Sequence, residues 1–492
     1  MHHRDPVSVV PPGAGVRARV PGAWLLAGLF VLSLPAVTPR IYASDEVQYF
    51  AYLRSLWFDR DVSFGNEYRH FYDAGVTRTR LFRETFLEPV TETGRPLNFG
   101  TLGCAILWAP FYAAGDAVAH VMRAAGMDVA TDGYSRPYVA AVCYGSAVYA
   151  FLAVLLSVWA ARRIVSRTAG GARWAAVLGG LGVWLGTPLL FYMYIAPPMS
   201  HACSAFAVAL FVAVWLRVRE RWSPAGLALL GALAALVTMV REQDAFFAAG
   251  PALDFALAAG APYVRRRRGA NTLEGERVPR AWLGVAAAAA TFLLVFTPQA
   301  LAYLSLNGRI LPSRLVSRKM TWTSPHALQV LGSPEHGLLF WTPLVVLALA
   351  GLVALLWRTG DTRRVAGCLL LMVAAQVYVA GSVESWTVAG AFGQRRFVGL
   401  TVLLVIGLAA LADVVRSAAG RTALAGAVVL CVWWNIGLIV QFGAGLMDRQ
   451  RLAPARNAYT TFVTLPRAAP NLAARFLFDR ASFYRPPVPD SE

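Results

Sequence analysis

Lysine is almost missing from this chain: Lys319 is the only one among 45 basic residues, and the rest are arginine. Charge is scarce altogether, at 15% of 492 residues, where a soluble protein carries about a quarter. That shortage, with 57% hydrophobic residues and a mean hydropathy of +0.52, excludes an ordinary soluble multidomain protein. Cysteine is sparse: Cys104, Cys143, Cys203, Cys368 and Cys431 stand singly in apolar segments. With an odd count, no CxxC and no histidine at metal spacing, they exclude a disulfide framework or zinc site and are read as small buried hydrophobes. There is no glycine-rich phosphate loop, no nucleophile elbow, no metal-ligand cluster and no internal repeat. A pI near 10.2 suggests nucleic acid, but the basic residues fall between apolar stretches, which points to membrane topology instead.

What is present is a series of apolar runs of about 20 residues, the length that crosses a bilayer. The first, 22–38, follows Arg17 and Arg19. It is read as an uncleaved helix, because it is longer than a signal-peptide core and Pro35, Pro39 and Arg40 spoil a cleavage site. Further apolar segments are 97–122, 137–161, 174–194, 199–216, 223–240, 245–264, 281–302, 337–357, 365–383, 397–415 and 422–445. Segment 97–122 decides the sidedness of everything after it. If it does not cross, the short connectors 162–173, 217–221, 265–280, 358–364 and 416–421, with 18 basic residues, all face the cytoplasm. If it crosses, all 18 face outward. Gly100, Gly103, Pro110, Gly115 and Asp116 also interrupt it, so it is expected to be re-entrant or interfacial on the outer side. The expected fold is an all-α polytopic membrane protein with about 11 transmembrane helices, N-terminus cytoplasmic and C-terminus outside. The membrane domain is 1–445, with 446–492 an interfacial outer tail. The +18 net charge then reports orientation: the N-terminus and inner connectors hold a net +16.

The first large outer loop, 40–136, opens Tyr42-Ala43-Ser44-Asp45-Glu46-Val47-Gln48. Phe50, Leu53, Leu56 and Trp57 recur at helical spacing, which predicts an amphipathic helix on the outer membrane surface. Asp45 suits an N-cap with Gln48 at the third position. Equally, Asp45 and Glu46 are a carboxylate pair at the membrane–water boundary, where the head group of a lipid-linked substrate lies. Capping and catalysis are compatible, since a cap immobilises a base.

An N-terminal helix followed by Asp-Glu at the head of a long outer loop resembles the GT-C superfamily of membrane glycosyltransferases. The likeness is to the branch of protein O-mannosyltransferases and lipid A aminoarabinose transferases. It extends to Leu107-Trp108-Ala109-Pro110-Phe111 and to a span ending Ala161-Arg162-Arg163, covers roughly residues 20–260, and thins afterwards. The resemblance implies inverting transfer of a sugar from a polyprenyl-phosphate donor at the outer face. Asp45 matches the catalytic base, with Glu46 beside it. One departure stands out: the loop Tyr192–His201 carries no second acid, and His201 is either its polar substitute or a cap of the following helix.

A departing phosphate needs preorganised cations. Three places on the expected outer side supply them: Arg395-Arg396 after Gly393-Gln394, Arg241 in the turn Arg241-Glu242-Gln243-Asp244, and the group Arg314, Arg318 and Lys319. Arg241 pairing with Glu242 or Asp244, and snorkelling by Arg314 and Arg318, are the competing structural readings. His336 and Trp341 are either interfacial anchors or a sugar border. The connectors are too short for a nucleotide-sugar domain, so the donor is expected to be lipid-linked and met from outside. No cofactor is expected, with a divalent metal left open by acid pairs such as Asp59 and Asp61. The expected partners are a polyprenyl-phosphate sugar, an acceptor glycan, lipid or protein, and membrane lipids, with no nucleic acid. The expected location is the cell's inner membrane. Two other readings stay open: a lipid or solute transporter, suggested by Asp254 in mid-span, and a non-catalytic GT-C-like scaffold.

Overall fold

The computed structural model describes residues 21–165, 171–267, 281–388 and 390–480. It is 75% helical. Among the described residues there is no strand, only the isolated bridges Val90–Pro96 and Met320–Val383. The principal helices are α1 (Pro21–Ser33), α2 (Ser44–Arg54), α3 (Gly103–Ala124), α4 (Arg136–Val165), α5 (Gly171–Gly186), α6 (His201–Val218) and α7 (Pro224–Val240). They continue with α8 (Ala249–Arg267), α9 (Ala281–Asn307), α10 (Leu344–Ala354), α11 (Asp361–Gly381), α12 (Thr401–Val414), α13 (Ala418–Gly443) and α14 (Leu465–Phe478). Seven helices among the described residues are long and apolar enough to cross a membrane: α3, α4, α6, α9, α11, α13, and α12 with the turn before it. Shorter apolar helices lie at Gly22–Ala36, Trp174–Gly186, Pro224–Val240 and Leu344–Trp357. The chain is thus an all-α polytopic membrane protein, since in lipid a helix is the way a single segment satisfies its own backbone.

Small residues bring the helices together. A Cβ on Gly231 of α7 would lie 2.0 Å from the Ala288 carbonyl of α9, and Thr291 donates across the same crossing to Ala228 O at 2.7 Å. α10 and α12 meet glycine to glycine: a Cβ on Gly351 would lie 1.8 Å from Gly407 O. Such contacts replace the hydrophobic drive that lipid removes. α4 runs parallel to α6, with Tyr149 beside Phe206 and Arg217 over Trp159. α3 runs antiparallel along the first half of α4, through Gly115 against Pro137, Trp108 Nε1 donating to Ser146 (2.8 Å) and Tyr149 donating to Leu107 O (2.7 Å).

The segment around α2 departs from the expected surface helix. Val47, Phe50 and Leu53 are buried with Phe64, Tyr68, Phe82 and Phe86 in an aromatic core. α2 is therefore interior to a folded cap, and only Leu56 and Trp57 of its expected apolar face are exposed. In the tail, α14 is an amphipathic helix whose Leu465, Ala469, Leu472, Ala473 and Phe476 line one side of an apolar cleft, with Ile436, Gly437 and Val440 of α13 on the other.

Candidate functional site

The site begins at the first turn of α2. Its N-cap is Ala43, and the third helical residue is Glu46. Glu46 Oε2 accepts from the backbone N–H groups of Tyr42 (2.8 Å) and Ala43 (3.1 Å), in the role the sequence assigned to Asp45 and Gln48. The long glutamate reaches back to the orphan donors, which a three-residue offset permits. Glu46 is fully buried, and that burial pushes its carboxyl up to about 8, against the opposing pull of the two backbone donors. Glu46 therefore sits behind the site as a structural cap. Asp45, released from capping, faces a cavity.

Gln48 registers α2 against the rest of the bundle. Its Oε1 accepts from Phe99 N (2.8 Å), and Asn98 Nδ2 donates to its carbonyl (3.1 Å). The strap 98–102 then ties to the far helices: Thr101 donates to Val240 O (3.0 Å), and Gln299 Oε1 accepts from Leu102 N (2.7 Å). Gly103 makes this approach feasible, because a Cβ there would lie 2.4 Å from Val240 N. Arg241, the next residue, is thereby held opposite Asp45.

The remaining wall is Gly393-Gln394-Arg395-Arg396. Gly393 takes the left-handed φ of 60° that glycine accepts without strain, and Gln394 donates to Trp386 O at 3.0 Å. Arg395 Nη1 donates to Asp45 Oδ2 at 2.6 Å. Arg396 donates to Ser385 O and Oγ, both at 3.2 Å, while its carbonyl accepts from Gln243 Nε2 at 2.8 Å. Arg241 Nη2 donates to Gln243 Oε1 at 3.3 Å. Three buried nitrogens at this cavity have no hydrogen-bond partner among the described residues: Arg241 Nη1, Arg396 Nε and His201 Nδ1. His201, at the start of α6, packs on the Tyr192 ring at 4.2 Å, and Tyr192 donates to Phe392 O. The cavity has a volume of about 180 Å³.

A second chamber of about 460 Å³ shares Tyr49, Phe99, Arg241 and Arg396 with the first. It adds Lys319 and an apolar side formed by Phe246, Trp322, Val379 and Val383. Lys319 Nζ stands 5.4 Å over the Phe99 ring, a cation–π contact. Its backbone is fixed by Glu384 N–H donating to Lys319 O at 2.8 Å. The combined cavity sets Asp45 and Glu242 against Arg241, Arg395, Arg396 and Lys319, an excess of basic residues suited to an anionic group.

Of the residues singled out from sequence, the structure brings Asp45, His201, Arg241, Arg395 and Arg396 to the first chamber and Lys319 to the second. Glu46 is the one it turns away. Arg241 pairs with neither neighbouring acid: Glu242 accepts from Tyr303, and Asp244 from Ser204 at 2.6 Å. Tyr49, Gln48, Phe99 and Ser385 were missed. Tyr49 was recoverable, being four residues after Asp45 on one helix face. It lies against Ser200, and burial pushes its hydroxyl up to about 12.

Other candidates resolve into structure. Arg314 pairs with Glu92 on the surface, and Arg318 is exposed. His336 and Trp341 are buried and stacked on each other, with His336 Nε2 against Ala391 O, so they border no ligand space. Asp59 engages Arg54 and Asn66, and Asp61 accepts from Ser55 and Ser63. No group of three potential metal ligands occurs among the described residues. Asp254 is fully buried, accepts from Trp215 (3.0 Å) and Arg219 (2.8 Å), and forms an ion pair with Arg364 (2.7 Å). All five cysteines are free thiols. No protein-family model matches the chain, and none of the curated proteins matches it, which leaves function to be argued from the site's own geometry.

Proposed function

We propose that this chain is a membrane glycosyltransferase that moves a sugar from a polyprenyl-phosphate donor to an acceptor at the extracytoplasmic face. The observation that carries the reading is the meeting of Asp45 with Arg395, Arg396 and Arg241 in one cavity that opens into a lysine-bearing, half-apolar chamber. Asp45 takes the proton of the acceptor's nucleophile as the new bond forms to the anomeric carbon. Attack comes from the face opposite the phosphate, so the configuration inverts. The bond from that carbon to the phosphate oxygen breaks, and its electron pair leaves with the phosphate. Arg241 and Arg396, each with an unpartnered N–H, receive the charge that develops there, with Lys319 beside them. The apolar side at Phe246, Trp322 and Val379 suits the start of the isoprenoid.

The proposed orientation puts the site at the outer surface, the N-terminus inside and the C-terminus outside, with eleven crossings. α4 has 30 residues, about 45 Å of helix against a hydrocarbon core of about 30 Å. α3 packs on its first half, along Pro137 to Tyr149, as expected of a helix lying beside the part of α4 that emerges from the bilayer. α3 is also long and apolar enough to cross, so the basic connectors carry the decision. The transporter reading loses its main support, because Asp254 is held by Trp215, Arg219 and an ion pair with Arg364. The test is transfer from a labelled polyprenyl-phosphate sugar by Asp45→Asn at normal expression. Loss of transfer is expected, and retention of full transfer rejects the reading.

A further inference from the structure

The ion pair between Asp45 and Arg395 poses a problem for the base it contains. Asp45 Oδ2 already accepts a charge-assisted hydrogen bond from Arg395 Nη1 at 2.6 Å. That bond occupies Oδ2, one of the two oxygens of the carboxylate, and fixes the orientation in which the group meets an acceptor. Resting on the glycosyltransferase reading, we infer that Arg395 is a donor-sensed latch: it masks Asp45 in the free protein and transfers to the donor's phosphate on binding, which uncovers the base.

Three features of the pair distinguish it from a fixed structural one. It is accessible from the cavity, the Asp45 and Arg395 side chains being 37% and 22% exposed. It is a single contact. Asp254, by contrast, accepts from Trp215 and Arg219, is paired with Arg364 as well, and has no exposure. Third, the other side-chain hydrogen bond of Arg395 among the described residues is to Met199 Sδ at 4.0 Å, a weak acceptor. The cavity also shows where the arginine would go. Arg241 Nη1 and Arg396 Nε are both buried without a partner, beside Arg395 in the same chamber. An anion that satisfies those two nitrogens arrives next to a guanidinium whose present partner carries a single negative charge. A phosphate offers more oxygens and a fork geometry that arginine matches. Exchange of Arg395 from carboxylate to phosphate leaves the guanidinium paired throughout and leaves Asp45 free.

The functional consequence is order. Without donor, Arg395 ties up Oδ2 and holds the carboxylate in the paired orientation, and with donor both oxygens are free to face the acceptor. The probe is decaprenyl phosphate, binding to the full-length protein in nanodiscs, measured by tryptophan quenching against decaprenol. Asp45→Asn removes the competing carboxylate charge and is expected to bind decaprenyl phosphate about tenfold more tightly. In an Arg395→Gln background the same substitution is expected to change affinity less than twofold, because the gain acts through Arg395. Asp45→Ala repeats the measurement should asparagine disturb the first turn of α2. Unchanged or weaker binding by both Asp45 variants overturns the latch, and so does a gain that persists in Arg395→Gln, which would mark simple charge repulsion. The transfer assay is separate: an Asp45→Asn protein that still transfers sugar rejects the base, whatever the affinity does. A wild type that binds decaprenyl phosphate no better than decaprenol rejects both.

Discussion

The Glu46 carboxylate receives the Tyr42 backbone N–H at 2.8 Å and so closes the first turn of α2 from behind, while its neighbour Asp45 faces the cavity. Two adjacent acids thus have separate duties. Glu46→Gln, which keeps an acceptor oxygen, is expected to retain transfer within about threefold. Glu46→Ala loses the cap and about 1 kcal/mol of stability, the usual scale for such a change. Thermal unfolding of both variants beside a transfer assay checks this, and loss of transfer in a stable Glu46→Gln protein would restore a chemical role.

The same residue carries a pH signature. Burial pushes the Glu46 carboxyl up to about 8 from an ordinary 4.5. The folded chain keeps this proton while the unfolded chain gives it up. The contribution of Glu46 to stability is therefore full below about pH 4.5, falls as pH rises, and is lost above about pH 8. Glutamine does not titrate. The unfolding temperature of Glu46→Gln relative to wild type is expected to climb across that window and then level. A flat difference from pH 4.5 to 8.5 would show that Glu46 is ionised in both states.

Lys319 is the only lysine in the chain, which makes its test unusually clean. An amine-directed acylating reagent has Lys319 and the terminal amine as its targets, and decaprenyl phosphate is expected to slow the reaction at Lys319 at least fivefold. Lys319→Met is expected to raise the donor KM about tenfold with kcat within threefold, since Lys319 lies in the second chamber beside the apolar wall. Peptide mapping of the acylated protein, with and without the lipid phosphate, decides it.

How much of this was legible in the sequence differs between fold and site. Helices and their apolar spacing were readable because each crossing run must satisfy its own backbone. The count was not, because α3 has the length and hydropathy of a span while its glycines and Asp116 suit an interfacial position. The cationic candidates were readable residue by residue, because arginine at the outer ends of apolar spans runs against the topological bias and calls for another reason. Asp45 meets Arg395 across 350 positions; the Gln48–Phe99 strap and the Gly103 contact tie α2 to Val240, Gln243 ties that turn to Arg396, and no local pattern announces these links. The Asp45 cap reading failed for a local reason: aspartate at the cap and glutamate reaching back from the third position compete, and the longer side chain won.

The Gly351–Gly407 crossing holds α12, the helix that Arg395 and Arg396 introduce. A Cβ on Gly407 would lie 2.1 Å from Ala348 O. Gly407→Leu is expected to separate α10 from α12 and to cost about 1–3 kcal/mol by overpacking. It should lower transfer as well, by moving the arginine pair relative to Asp45. Gly426→Leu, on α13 with open space at its Cβ position, is the control expected to change neither. Paired measurements of unfolding temperature and transfer check the contrast.

Asp254 separates the transferase from the transporter. Its oxygens accept from Trp215 and Arg219 and form an ion pair with Arg364, and Arg219 also bonds Asp361 at 2.8 Å. Removing the central charge leaves two guanidiniums with less compensation, and breaking a buried pair in this way costs about 3–5 kcal/mol. A transporter that cycles a proton or ion through Asp254 would lose its activity outright in Asp254→Asn, even in molecules that fold. For the transferase, Asp254→Asn is expected to give less folded protein, with transfer per folded molecule within about twofold of wild type. Asp45→Asn should show the reverse, with normal folding and no transfer. Quantifying folded protein by size-exclusion fluorescence and dividing it into the transfer rate yields both numbers from one preparation, and a folded but inactive Asp254→Asn would move the chemistry to the other end of the bundle.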